Sequence, residues 1–223
     1  MHPSKHKRSI LLSKVKQQRY LSLMPVAGSL IFVFLYFIAT LFYPGGSQAN
    51  IHSVGFSWRN NYWCNLLNNN SINGQHNTAK PIAMMAMIVL CLSLSYFWIS
   101  FPVILNLHKR LKRVIQFSGV LAMLAAFLLF TNFNHDIVTN IASAFGMIAI
   151  VATFAGLFKA KWFGLFTLGL FNIVLIAVNN YLYYTKGLLV YLPVIQKISF
   201  AFFLIWISSI SLRLYRKADL LLV

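Results

Sequence analysis

Apolar residues in this chain gather in long unbroken runs rather than at amphipathic spacing, and polar or basic stretches punctuate them. A helix needs about 20 predominantly apolar residues to cross a hydrocarbon core. Six stretches reach that length, at 21–42, 81–105, 114–131, 137–158, 162–181 and 194–212. They lack the strict alternation of a transmembrane barrel, the other spanning structure open to a backbone in lipid. The pattern predicts an all-α, polytopic integral membrane protein of six transmembrane helices.

Composition agrees with that class. Of 223 residues, 59% are hydrophobic, 9% are charged and only two are acidic, which is too little charge to dress a soluble surface. The formal charge of +17 invites a nucleic-acid reading, but the basic residues sit between apolar spans and not on one face. Topogenic charge and attraction to anionic headgroups on the cytoplasmic side explain them, with no nucleic acid.

Charge placement orients the chain. Lys5, Lys7, Arg8, Lys14, Lys16 and Arg19 precede span one, and Lys109, Arg110, Lys112 and Arg113 separate spans two and three. Lys159 and Lys161 lie between spans four and five, and Arg213, Arg216 and Lys217 follow span six. Fifteen of the nineteen Lys and Arg thus fall on one side, leaving Arg59, Lys80, Lys186 and Lys197. Positive charge marks the cytoplasmic face, so both termini are expected inside. The expected organisation is a basic cytoplasmic arm over 1–20, a membrane domain over 21–213 with a long extracytoplasmic loop at 43–80, and a cytoplasmic tail over 214–223. Ser47-Gln48-Ala49 resembles a cleavage site, but the preceding apolar run is too long for a signal core. Cys64 in a polar loop and Cys91 inside a span make no disulfide framework.

The most polar segment of the chain is 43–80, which mixes Phe56, Trp58, Tyr62 and Trp63 with eight asparagines between Asn60 and Asn77. Loops of this length are functional or disordered, and the aromatics favour an ordered loop folded back on the bundle. Trp58, Arg59, Asn61, Tyr62, Asn73 and Asn77 are its candidate binding residues. A plain connector with aromatics at headgroup level explains the same composition. Pro44-Gly45-Gly46 is expected to end span one sharply. A second polar cluster, Asn132, Asn134, His135, Asp136 and Asn140, stands where span four begins. Asp136 suits a helix N-terminus, where the dipole favours an anion. Alternatively, His135 and Asp136 meet Arg59 or His76 in a pocket at the outer face, since ionisable groups at membrane depth often mark sites.

His76, His135 and Asp136 are the candidates for an intramembrane lipid hydrolase, with His52 as a further imidazole. No pair has HExxH-like spacing, so no metal is expected, and no nucleophile elbow accompanies Ser53, Ser57 or Cys64. No cofactor is implied. Asn172 and Asn179 share a face of span five, where interhelical amide hydrogen bonds are the common use. Ala142 with Gly146, and Ala152 with Gly156, hint at close packing. No span carries a charge series or a clear break, which disfavours a small-solute transporter. Asn69-Asn70-Ser71 forms a glycosylation sequon in an asparagine-rich context.

The Pro-Gly-Gly after span one, Trp58 to Tyr62, Cys64-Asn65-Leu66-Leu67, and Asn73, Gly74 and Asn77 before span two carry a resemblance, which His135 before span four fits. The chain resembles a bacterial six-span membrane family of unknown function, domain of unknown function nine-nine-eight. That family is similar in layout to the eukaryotic Frag, DRAM and Sfk membrane proteins. The resemblance implies a bacterial inner membrane location and a role in lipid organisation or lipid-anchor remodelling, without established catalysis. Asn65 stands where that family tends to have aspartate, which removes a candidate acid. The functional expectation is a lipid-interacting or membrane-organising protein with an outer-face polar recognition surface and membrane lipids, or a further protein, as partners. A lipid hydrolase or remodelling enzyme and a small-solute transporter are the alternatives.

Overall fold

The computed structural model describes residues 17, 19–128 and 135–219, with 135, 136, 218 and 219 described by backbone alone. Six long helices run through them: α1 (Met24–Leu41), α2 (Lys80–Ile104), α3 (Lys109–Leu128), α4 (His135–Lys159), α5 (Phe163–Tyr184) and α6 (Leu192–Asp219). All six are long and apolar enough to cross a membrane. Among the described residues the only β pairing is two isolated bridges in the 43–80 segment.

Helix ends overrun the apolar stretches where the flanks are basic. α3 begins at Lys109 and α6 continues past Arg216 and Lys217, because Lys and Arg are good helix formers. Near a helix C-terminus they also oppose the negative end of the dipole, as Arg216 and Lys217 do. Pro25 and Pro81 stand in the first turns of α1 and α2, where a missing N–H costs nothing.

Consecutive helices pair, although α4 and α5 touch only lightly, and α6 returns against α1 and α2 to close the bundle. α2 is its most buried span, through Leu90, Leu94, Phe97, Trp98 and Phe101. Missing side chains allow the closest approaches. A Cβ on Gly119 of α3 would lie 2.2 Å from Trp98 Cγ, and one on Gly28 of α1 would lie 2.2 Å from Ser93 Oγ. Of the two small-residue pairs in α4, Gly156 is tightly placed, 2.9 Å from Leu107 Cδ1, whereas Gly146 would make only an ordinary contact with Ala122 at 3.9 Å.

Polar cross-links are few. Asn179 donates to Ser199 Oγ across α5 and α6, and Trp206 Nε1 donates to Leu165 O at 2.8 Å. Asn172 is buried and donates to Leu168 O in its own helix, so the shared face of Asn172 and Asn179 yields one interhelical bond from Asn179 alone. The Arg19 guanidinium donates to Tyr215 Oη at 2.8 Å, and Arg213 lies over the Trp162 ring. These contacts gather the start of α1, the start of α5 and the end of α6 at one end, called here the basic end. The 43–80 segment occupies the opposite, loop end.

Candidate functional site at the loop end

The chain turns at Gly45 and Gly46, with φ of 151° and 81°. Glycine is required there for space as well as conformation: a Cβ on Gly46 would lie 2.4 Å from the Asn73 nitrogen, and one on Gly45 would lie 2.4 Å from Ser53 O. Beyond the turn, Gly46 N–H donates to Ser53 O and Gly55 N–H to Pro44 O, which forms a small hairpin. Asn73 N–H donates back to Gly45 O, and Ile72 N–H donates to Tyr43 Oη at 3.0 Å, so the two ends of the segment are tied together. Burial holds the Tyr43 phenol above its ordinary value, against a smaller opposite pull from Ile72 N–H.

Two asparagines organise the middle. Asn61 is fully buried; its Nδ2 donates to Gly46 O at 2.8 Å and its Oδ1 accepts from Ser57 N–H at 2.8 Å. Asn77 is also fully buried; its Nδ2 reaches Asn65 O, Leu66 O and Asn68 O, and its Oδ1 accepts from Ala79 N–H. A primary amide supplies two donors and one acceptor group, which matches a turn full of main-chain carbonyls. Asn65 Oδ1 accepts from Tyr62 N–H and starts the 3-10 turn Trp63–Leu67. Asn73 Oδ1 accepts from Ser71 Oγ and Gln75 N–H. These asparagines face inward and serve the fold of the segment.

Aromatics seal the segment to the helices. Trp63 packs its ring on Phe32 and Tyr36 of α1 and on Phe200 of α6, at centroid distances of 5.8, 5.2 and 5.4 Å. Phe56 stands between Tyr43 and Trp58. Trp58, 46% exposed, reaches the Phe37 ring on the outer flank of α1 at 6.2 Å. Arg59, His52 and His76 are exposed, and Tyr62 is half-buried.

The side chains of His135 and Asp136 lie outside the described residues, as do Asn132 and Asn134; Asn140 is exposed on α4. The structure therefore brings Asn61, Tyr62, Asn73 and Asn77 together, with Trp58, Arg59 and His76 on the outside of the same segment. Among the described residues no three His, Cys, Asp or Glu side chains gather to hold a metal.

Sequence reasoning passed over Lys197, which lies inside the span expected at 194–212. Its Nζ donates to the main-chain carbonyl of Asn61 and to Pro193 O, and it sits 5.7 Å from the Phe56 ring centroid. The available signal was a lone cation in an apolar run, which is expensive at membrane depth. Cys64, a free thiol nearby, is held above its ordinary value by burial. Its own and Asn65's main-chain groups and the Lys197 ammonium oppose that shift more weakly.

Six apolar helices of this length make the chain a multi-pass integral membrane protein. Compared with protein-family models, with curated proteins and with solved structures, the chain matches none.

Proposed function

We propose that the chain is a lipid-interacting membrane protein whose 43–80 cap is a recognition surface at the lipid–water boundary. The observation that carries this reading is the pair of Trp58 and Phe37. An exposed indole rests against a ring on the flank of α1, beside the exposed guanidinium of Arg59. Indole and guanidinium together suit headgroup depth, where one part of a ligand is apolar and the other is charged.

In this reading the basic end is cytoplasmic, because Lys109, Arg110, Lys112, Arg113, Lys159, Lys161, Arg213, Arg216 and Lys217 belong to it. Both termini are then inside, the cap lies outside, and His135 and Asp136 complete the surface from the first turn of α4. The resemblance carried by residues 44–77 supports a bacterial inner membrane and a role in membrane organisation.

Lipid mass spectrometry on the detergent-purified chain tests this, with Trp58→Ala/Arg59→Gln and His135→Ala/Asp136→Asn beside the wild type. A defined lipid retained by the wild type and lost from the variants is expected. Equal, unselective lipid in all samples would refute it. Conversion of the retained lipid to product would assign a hydrolase or remodelling enzyme, and solute flux in vesicles without product would assign a transporter.

A further inference from the structure

Two open grooves lie side by side on the flank of the bundle where α2 and α3 cross. One, of about 720 Å³, follows α3 from Arg113 past Gln116 and Phe117 to Leu121. The other, of about 170 Å³, follows α2 from Tyr96 to Ile104. They meet at a hydrogen bond, in which Gln116 Nε2 of the first donates to the Ile99 carbonyl of the second at 2.9 Å. Because α3 doubles back on α2, both grooves run from the basic end toward the middle of the bundle. Val114, Phe117, Ile99 and Val103 line them and remain exposed after the helices have packed.

Polarity changes in a fixed order along this face. At the helical rise, Gln116 stands about 4.5 Å and Leu121 about 12 Å further in than Arg113. A cation comes first, then an amide, then apolar side chains, which is the order of phosphate, ester and acyl chain in a phospholipid. Gln116 spends one N–H on Ile99 O; its second N–H and its oxygen have no partner among the described residues. Lys109 and Arg110, exposed like Arg113, are its neighbours one turn back, and like charges at that spacing repel. Among the described side chains no carboxylate offsets them. Topogenic charge accounts for cations at this end, but not for two grooves descending from one of them.

We propose that the paired grooves hold one anionic phospholipid, with an acyl chain in each. The phosphate oxygens accept from the Arg113 guanidinium, a fork suited to phosphate, and an ester carbonyl accepts from the second N–H of Gln116. Lys109 and Arg110 favour a lipid of net negative charge over a zwitterionic one. A second copy of this chain is a poor occupant, since nineteen Lys and Arg against two acids offer it no complementary charge. This site stands at the opposite end from the cap and needs only the six spans, so it goes beyond the cap reading.

Native mass spectrometry of the full chain, titrated with phosphatidylglycerol, its one-chain lyso form and phosphatidylcholine, tests this. The wild type should prefer phosphatidylglycerol to phosphatidylcholine by about tenfold, the order expected of one or two cations beside a lipid charge. It should hold the lyso form several-fold more weakly. Arg113→Gln should lower phosphatidylglycerol retention about fivefold, and Arg113→Lys should keep most of it. Lys159→Gln/Lys161→Gln removes two exposed cations of the same end outside the grooves and should change nothing. An equal fall in that control and in Arg113→Gln would reduce the preference to bulk charge and overturn the proposal. Val103→Trp decides the matter if Arg113→Gln fails to fold. Val103 is 37% exposed, so an indole has room there and fills the α2 groove. It should weaken the two-chain lipid and spare the lyso form; unchanged phosphatidylglycerol retention in folded Val103→Trp overturns the proposal. So does a dimer that forms in place of a lipid adduct, which would give the grooves to a second copy. One phosphatidylglycerol adduct should survive Trp58→Ala/Arg59→Gln. Its loss there would place the lipid at the cap, sinking this inference and leaving the cap reading in place.

Discussion

Lys197 Nζ and the main-chain carbonyl of Asn61 are hydrogen-bonded across 136 positions of sequence, joining the last helix to the middle of the 43–80 cap. The cap is thereby tied to α6 as well as to the helices that flank it. Removing the ammonium leaves a buried carbonyl without its donor. Lys197→Met should loosen the cap, and limited proteolysis within 47–60 should become faster while helix content by circular dichroism is unchanged.

From a fully buried position Asn77 shares its two N–H donors among three carbonyls and accepts one N–H. Asn77→Ala takes this donor from the Leu66 and Asn68 carbonyls, while Asn65 O keeps the Asn68 N–H, at a cost of about 2–4 kcal/mol from the net worth of lost bonds and the desolvated groups left behind. Thermal unfolding in detergent should shift down clearly. Asn77→Asp should be worse, since it exchanges the amide donors for a buried charge.

Gly46 and Gly74 both have positive φ, of 81° and 84°, but differ in surroundings. A Cβ at Gly46 meets the Ile72–Asn73 backbone, whereas one at Gly74 meets nothing within 4 Å. Gly74→Ala should cost only the backbone strain, about 1 kcal/mol. Gly46→Ala must also push two backbone segments apart, so its melting temperature should fall markedly further.

Burial raises the Cys64 thiol above its ordinary value of 9.0, so the folded chain holds that proton more tightly than the unfolded one. Its contribution to stability is complete below that value and declines as pH rises through the raised one. Maleimide labelling of Cys64, mapped by peptide mass, should be slow at neutral pH and rapid after unfolding. Alkaline destabilisation should be smaller in Cys64→Ser.

Gly119 lies against Trp98 where α2 and α3 cross, and Gly146 has room. Gly119→Val should disrupt that pair and lower the yield of folded monodisperse protein in detergent. Gly146→Ala should be neutral or slightly stabilising, because it adds contact without a clash. Size-exclusion profiles and melting curves of the two variants distinguish these outcomes.

The six spans were legible in the sequence because bilayer insertion depends on summed hydropathy over about 20 residues, a property each segment carries alone. Helix ends were less legible at α3 and α6, where helices run on through Lys and Arg beyond the apolar core. Close packing of Gly156 could be suspected from its spacing, but the same spacing around Gly146 pointed to a contact that is only ordinary. The need for glycine at Gly45 and Gly46 was suggested by the turn residues themselves, while the clash with Ser53 and Asn73 was not. Asparagine is equally at home on a surface or inside a turn, and composition cannot choose between them. Only the folded chain turned Asn61 and Asn77 inward, because only there do Gly46, Asn65, Leu66 and Asn68 present main-chain carbonyls within reach. Lys197 was decided the same way. Its sequence neighbours describe an apolar helix, and the groups that accept its charge come mainly from a segment more than a hundred residues away, which local pattern cannot register.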